Sequence, residues 1–227
     1  MKLRLHSALR LVAVAALGTV AAAASAQSAG QWTAKVGLNQ IRPVVDSGNI
    51  SAPALPNSKA DVGADTKPIL FISYSFTDNI SAELDLGVPY RNNLYGADGI
   101  KGTGKLGSVQ SLPPTVFLQY RFFTPDAKFR PYVGAGVTYA YFRRAEGSGQ
   151  MTALTNIGSS TPTTFKVDNK AAGSIQLGTS YAFNEKWALD VALVKTFLKT
   201  KVDFSTGQTQ DIRLDPQSIN IGVVYKF

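Results

Sequence analysis

Residues 112–142, LPPTVFLQYRFFTPDAKFRPYVGAGVTYAYF, leave little choice of secondary structure. In the first arm Val116, Leu118, Tyr120 and Phe122 fall on one face and Thr115, Gln119 and Arg121 on the other. Phe117 is the apolar exception on that second face. A period of two is that of a strand with two different surroundings. The second arm repeats it, with Val133, Ala135, Val137, Tyr139 and Tyr141 opposed by Gly134, Gly136, Thr138 and Ala140. Between the arms, Pro125-Asp126 fixes φ and caps its own backbone. The stretch predicts a long hairpin. Two more follow the same plan. Residues 69–76 and 80–90 meet at Thr77-Asp78-Asn79, and residues 175–183 meet the strand starting at Trp187 through Asn184-Glu185-Lys186.

The remaining alternating segments lie at 32–45, from Trp187 onward, and at the end, Ile219, Ile221, Val223, Tyr225 and Phe227. Alternation in the seventh segment fails at Lys195, which predicts either a bulge or a strand already clear of a bilayer. Segments rich in Gly, Ser, Pro and Asn, at 46–67, 91–111 and 143–170, read as long loops, with a brief one at 205–210. Eight strands, with both ends on the short-turn side, close without a free edge. Short turns at one end and long loops at the other suit a membrane barrel. The non-apolar face is mostly Gly, Ser, Thr, Asn and Gln, more like a packed lumen than the charged exterior of a soluble barrel. Trp32, Tyr74, Phe76, Tyr120, Phe122, Tyr181, Phe183, Trp187, Tyr225 and Phe227 cluster at the short-turn ends, as an interfacial aromatic girdle would. The predicted fold is all-β: an eight-stranded antiparallel up-and-down transmembrane β-barrel.

Residues 1–26 read as a cleaved signal peptide: Lys2, Arg4 and Arg10, an apolar run over 11–22, then Ala24-Ser25-Ala26. Residues 27–227 then form a single outer-membrane barrel domain of 227 − 26 = 201 residues, and the formal charge falls from +8 to +5 with the three cations removed. That excess is too small and scattered to argue for nucleic acid, and suits anionic lipid headgroups. The chain has no Cys, and its one His is His6. The mature chain therefore has no imidazole or thiol for a metal site or nucleophilic catalysis, and no cofactor or enzymatic activity is expected. Gly102-Thr103-Gly104-Lys105-Leu106-Gly107 fits G-x-G-x-x-G but has no βαβ unit around it, so nucleotide binding is rejected.

Four stretches resemble the outer-membrane protein W family of Gram-negative bacteria. They are Ile41-Arg42-Pro43, Leu112-Pro113-Pro114-Thr115, the run Phe129-Arg130-Pro131-Tyr132-Val133-Gly134-Ala135-Gly136-Val137, and the terminal Tyr225-Lys226-Phe227. The resemblance covers essentially the whole mature chain. It implies a narrow barrel with a hydrophobic interior that helps small apolar molecules cross the outer membrane, as alkane-uptake relatives do. It also implies lateral release of the ligand.

Strand direction sorts the lumen by height. The short-turn end is lined by Lys35, Glu83, Asp85, Gln119, Arg121, Asp190 and Lys226, expected to form a paired polar plug in which Arg121 faces the carboxylates and Lys35 neighbours Lys226. The loop end is lined by Ile41, Ile69, Phe71, Phe117, Phe142, Val194 and Leu214, with Pro43, a candidate ligand funnel. Gly134 and Gly136 make room inside. Proline cannot donate to a ladder, so Pro89 opposite Pro113 and Pro114 marks the expected lateral opening, with Pro43 and Pro216 a rival seam. The expected partners are outer-membrane lipid, small hydrophobic solutes, and the barrel-assembly machinery through Phe227. The competing expectation is a structural or adhesive barrel, or surface receptor, with a merely packed lumen.

Overall fold

A computed structural model describes residues 28–54 and 57–227. The signal peptide expected over 1–26 lies outside the described residues. Among these residues the chain runs β1 (Trp32–Arg42), β2 (Asp46–Ser47), β3 (Ser58–Val62), β4 (Asp65–Ser75), β5 (Ile80–Gly87), β6 (Tyr90–Asp98), β7 (Lys105–Leu112) and β8 (Thr115–Arg121). It continues with β9 (Phe129–Gly147), α1 (Gly149–Thr155), β10 (Phe165–Val167), β11 (Lys170–Ala182), β12 (Trp187–Phe197), β13 (Lys199–Phe204), β14 (Thr209–Arg213) and β15 (Gln217–Lys226). Eight of these strands form a ring in the order β1, β4, β5, β8, β9, β11, β12, β15, closed by β15 on β1 and by β9 on β11. Every seam is antiparallel, so the chain is a closed eight-stranded up-and-down barrel.

The tight turns are built by their polar residues. Thr77 Oγ1 accepts from the Ile80 and Asn79 N–H groups at 2.9 and 3.2 Å, and Asn184 Oδ1 accepts from Lys186 and Trp187 N–H, both at 2.9 Å. Outward positions carry an exposed apolar band that includes Val36, Leu118, Val137, Leu177, Leu193 and Ile221. Inward neighbours such as Lys35, Gln119 and Asn220 are buried. Polar inside and apolar outside is the inverse of a soluble barrel and fits a hydrocarbon surround. The girdle gathers in clusters at the short-turn rim: Trp32 meets Tyr74 at 4.9 Å between ring centres, Trp187 meets Tyr225 at 4.8 Å and Tyr225 meets Phe227 at 5.1 Å. On β9 the rise from Phe129 to Tyr139 is about 33 Å along the strand and, tilted by about 40°, about 25 Å along the normal, the height of the apolar band of such barrels.

The segments expected as irregular long loops are largely β-structure, a correction to the sequence reading. β6 and β7 form a hairpin that extends the barrel sheet upward along the far end of β9, with β3 outside it. β2, β10, β13 and β14 make a second four-stranded sheet, and α1 is capped by Ser148, whose side chain accepts from Met151 N–H at 3.3 Å. Ile50, Leu94, Leu106, Met151, Phe165, Val202, Phe204 and Ile212 belong to the buried apolar cluster of this cap. No bulge marks Lys195: the β11–β12 register runs unbroken to Gly173↔Phe197, and Lys195 Nζ donates to the Asp215 carbonyl at 2.7 Å. Gly102 and Gly104 sit at φ +88° and +87° in the β6–β7 turn, a conformation open to glycine at no steric penalty.

Candidate functional site

The lower lumen is a polar plug. Lys35 Nζ donates to Asp190 Oδ1 at 2.8 Å and Asn220 Oδ1 at 3.2 Å, lies 3.8 Å from Glu83 Oε2, and sits 3.6 Å from the centre of the Phe71 ring. Tyr132 hydroxyl donates to the same Asp190 oxygen at 3.0 Å. Glu83 accepts from Gln119 and Gln176 amides at 2.9 and 3.1 Å and from Ser73 at 3.2 Å. Arg121 behaves otherwise than expected. Its Nη2 donates to Gln119 Oε1 at 2.8 Å and its guanidinium stacks 4.4 Å over the Tyr132 ring, so it is engaged away from the carboxylates, and Lys35 takes them instead. Lys226 registers with Thr33 and Lys35 with Val224, so the two lysines are diagonal neighbours on β1 and β15, not directly opposite. Below, the Arg130 guanidinium donates to the Asp78 and Phe123 carbonyls at 2.6 and 3.2 Å, tying turn to turn.

Two glycines make this packing possible. A Cβ at Gly178 would overlap the Tyr132 ring, and one at Gly136 would come within 2.6 Å of Phe117 Cδ1. Phe117 and Phe71 are almost wholly buried and fill the layer above the plug. They were expected to line the ligand funnel and do not: the absence of side chains at Gly136 and the pull of the Lys35 ammonium draw both rings into the packed middle.

Above them lies a cavity of about 1170 Å³, its open mouth included. Of the expected lining, Ile41, Pro43, Ile69, Phe142, Val194 and Leu214 face it, joined by Pro113 and Pro216. Sequence reasoning missed its upper lining: Val62, Leu94 and Val167 belong to cap strands within segments read as loops, and Val202 and Ile212 to the β13–β14 hairpin, of which only the tip was read, as a brief loop at 205–210. Asp85 was assigned to the plug, yet lines this cavity and makes no ion pair within 4.0 Å among the described residues. Lys35 is already engaged by Asp190 and Glu83, which leaves Asp85 at the cavity floor.

The hydrogen-bond ladder of the wall beside the cavity is interrupted. β5 pairs with β8 only from Ile80↔Tyr120 to Asp85↔Thr115, and pairing resumes at Tyr90↔Ser111 between β6 and β7. Residues 86–89 and 112–114 between those rungs form no ladder with each other, and Pro89, Pro113 and Pro114 have no N–H to offer. Gly87, Leu112 and Pro113 line the cavity, while Leu86 and Val88 are exposed outside. The rival seam is shut: the β1–β15 ladder runs to Arg42↔Gln217, and Val44 N–H then donates to the Leu214 carbonyl at 2.8 Å.

The sequence profile of the OmpW family matches residues 28–227. Outer membrane protein W of Salmonella typhi is 31% identical over 222 residues, 95% of this chain and 98% of that one. An uncharacterized outer-membrane protein, y4mB, of Sinorhizobium fredii is 35% identical over 80% of this chain and 74% of its own. The crystal structure of the outer membrane protein OprG from Pseudomonas aeruginosa superposes with a TM-score of 0.79 at 28% identity, covering 89% of this chain and 98% of that one.

Proposed function

The chain belongs to the OmpW family of outer-membrane β-barrels, and from that premise we propose that it is a passive, non-enzymatic channel for small hydrophobic molecules. The observation that carries this reading is the apolar cavity seated above a tightly bonded polar plug, with a break in the strand ladder at its side. An apolar solute moving straight down would have to part Lys35 from Asp190 and Glu83 and strand buried charges, at several kcal/mol. Sideways movement meets only the seam where residues 86–89 and 112–114 form no ladder with each other, and then lipid. The solute thus binds in the upper lumen and leaves into the outer leaflet between β5 and β8. Phe227, exposed at the short-turn rim, serves in this reading as the contact for barrel assembly, and residues 1–26 as the export signal.

The test is uptake of a graded series of alkyl and aromatic compounds by cells with and without the protein. Uptake should rise with the protein present and fall off for solutes too wide for the cavity. Equal uptake in both kinds of cell would leave a structural or adhesive barrel with a packed lumen as the better reading.

A further inference from the structure

Two buried acceptors at the floor of the upper cavity have no donor. Asp85 is 8% exposed, lines the cavity, and its Oδ1 is buried without a hydrogen-bond partner. Asn39 is 6% exposed and lines the same cavity; its Nδ2 donates to the Tyr90 hydroxyl at 2.9 Å, while its Oδ1 is buried and unpartnered. Several neighbouring donors are committed elsewhere, while the Tyr90 hydroxyl, which accepts from Asn39, keeps its own hydrogen. Lys35 is held by Asp190 and Asn220, and the hydroxyls of Thr115, Thr138, Ser174 and Thr196 bond to one another in series at 2.7–2.8 Å. A buried acceptor left bare is unfavourable, and a carboxylate more so than an amide. Apolar walls therefore stand over a floor with two bare buried acceptors.

We propose that this cavity takes single-chain amphiphiles head down: a cationic, hydrogen-bond-donating head, as in a protonated primary alkylamine, rests on Asp85 and Asn39, and the chain lies against Ile41, Val194 and Leu214. The proposal rests on the channel reading above and narrows its solute class. An ammonium group supplies three N–H donors and the charge that the carboxylate lacks, and charge-assisted bonds are about twice as strong as neutral ones. An alkane leaves both acceptors bare. A carboxylate-headed chain sets like charge against Asp85. Because Asp85 forms the last β5–β8 rung with Thr115, the bound head sits at the lower edge of the break in the ladder.

The experiment uses the folded mature protein in zwitterionic bicelles, titrated with octylamine, 1-octanol, octanoate and octane at matched membrane-phase concentrations. The chemical shifts of the Ile41, Val194 and Leu214 methyl groups report occupancy. Octylamine should bind at least about tenfold more tightly than octane or octanoate, with 1-octanol between them. Asp85→Asn should bring the amine-to-octane ratio to within about threefold, and Asn39→Leu, which keeps the charge, should lower it in part. A wild-type ratio near one, or a ratio unchanged in both variants, overturns the proposal; should Asp85→Asn not fold, the wild-type series and Asn39→Leu decide it. If octane moves the methyl signals and octylamine binds no better, this inference alone fails. If none of the four solutes moves them, the channel reading fails with it.

Discussion

Lys35 is the side chain on which the lower lumen turns, since its ammonium group meets two carboxylates, an amide oxygen and an aromatic face at once. Lys35→Met should therefore lower stability by about 3–5 kcal/mol, because it strands Asp190 and Glu83 as buried charges. Unfolding in urea from lipid vesicles measures it, and adding Asp190→Leu to that variant should recover part of the loss. A double variant no better than the single one would mean that the pair is not what holds the plug. Phe117 separates packing from passage. Phe117→Ala should destabilise by about 3–5 kcal/mol as a core truncation. Phe142→Asp should instead depress uptake of apolar solutes with the barrel still folded, because any solute in the cavity must then desolvate a charge. Each residue's face was legible in the alternation alone, which is why Lys35, Glu83, Gln119 and Asp190 all turn up inside. Their partners were not. Period two says which way a side chain points, but a lysine reaching across the lumen meets strands that are not its ladder neighbours, and that pairing depends on where Gly136 and Gly178 leave room.

At the scale of elements, the three tight hairpins were legible because Thr77, Pro125-Asp126 and Asn184 carry their own turn chemistry. The cap was not legible, and its bulges explain why. β6 and β7 slip register between Leu94 and Tyr95, and β7 against β9 between Ser108 and Gln110, so alternation does not last long enough in either strand to be read. The proline seam was read from the missing donors, and the ladder does stop there, between Asp85↔Thr115 and Tyr90↔Ser111. Its use as an exit can be tested with thiols, since the chain has no native Cys. Gly87→Cys with Pro113→Cys should let a crosslink bridge the break. Uptake of apolar solutes should fall on crosslinking and return on reduction. The same experiment with Pro43→Cys and Pro216→Cys, across the bonded β1–β15 seam, should give uptake that does not respond to crosslinking. A response at the second seam only would put the exit between β1 and β15.

For the molecule as a whole, the bilayer acts as a solvent that sees only one of the two faces of each strand. The lower lumen is filled by its own polar network and the cap by its own apolar cluster, so neither depends on lipid, whereas the outer band has no protein covering it. Substitutions on that band should consequently scale with depth and not with burial, the reverse of a soluble protein. Leu118 and Tyr139 make the comparison. Both point outward and are similarly exposed, at 59% and 49%, yet Leu118 registers with Ala82 and Ala135 within the apolar band, and Tyr139 lies at its upper limit beside Pro114. Leu118→Arg should lower the unfolding free energy in vesicles by about 2–4 kcal/mol, and Tyr139→Arg by about 0–1 kcal/mol, because a guanidinium group near the interface can reach headgroups and water. The two variants should be indistinguishable in the heat-modifiable migration that marks a folded barrel, since neither touches the lumen. Equal losses at both positions would mean that the band is not graded by depth and that hydrocarbon is not what surrounds it.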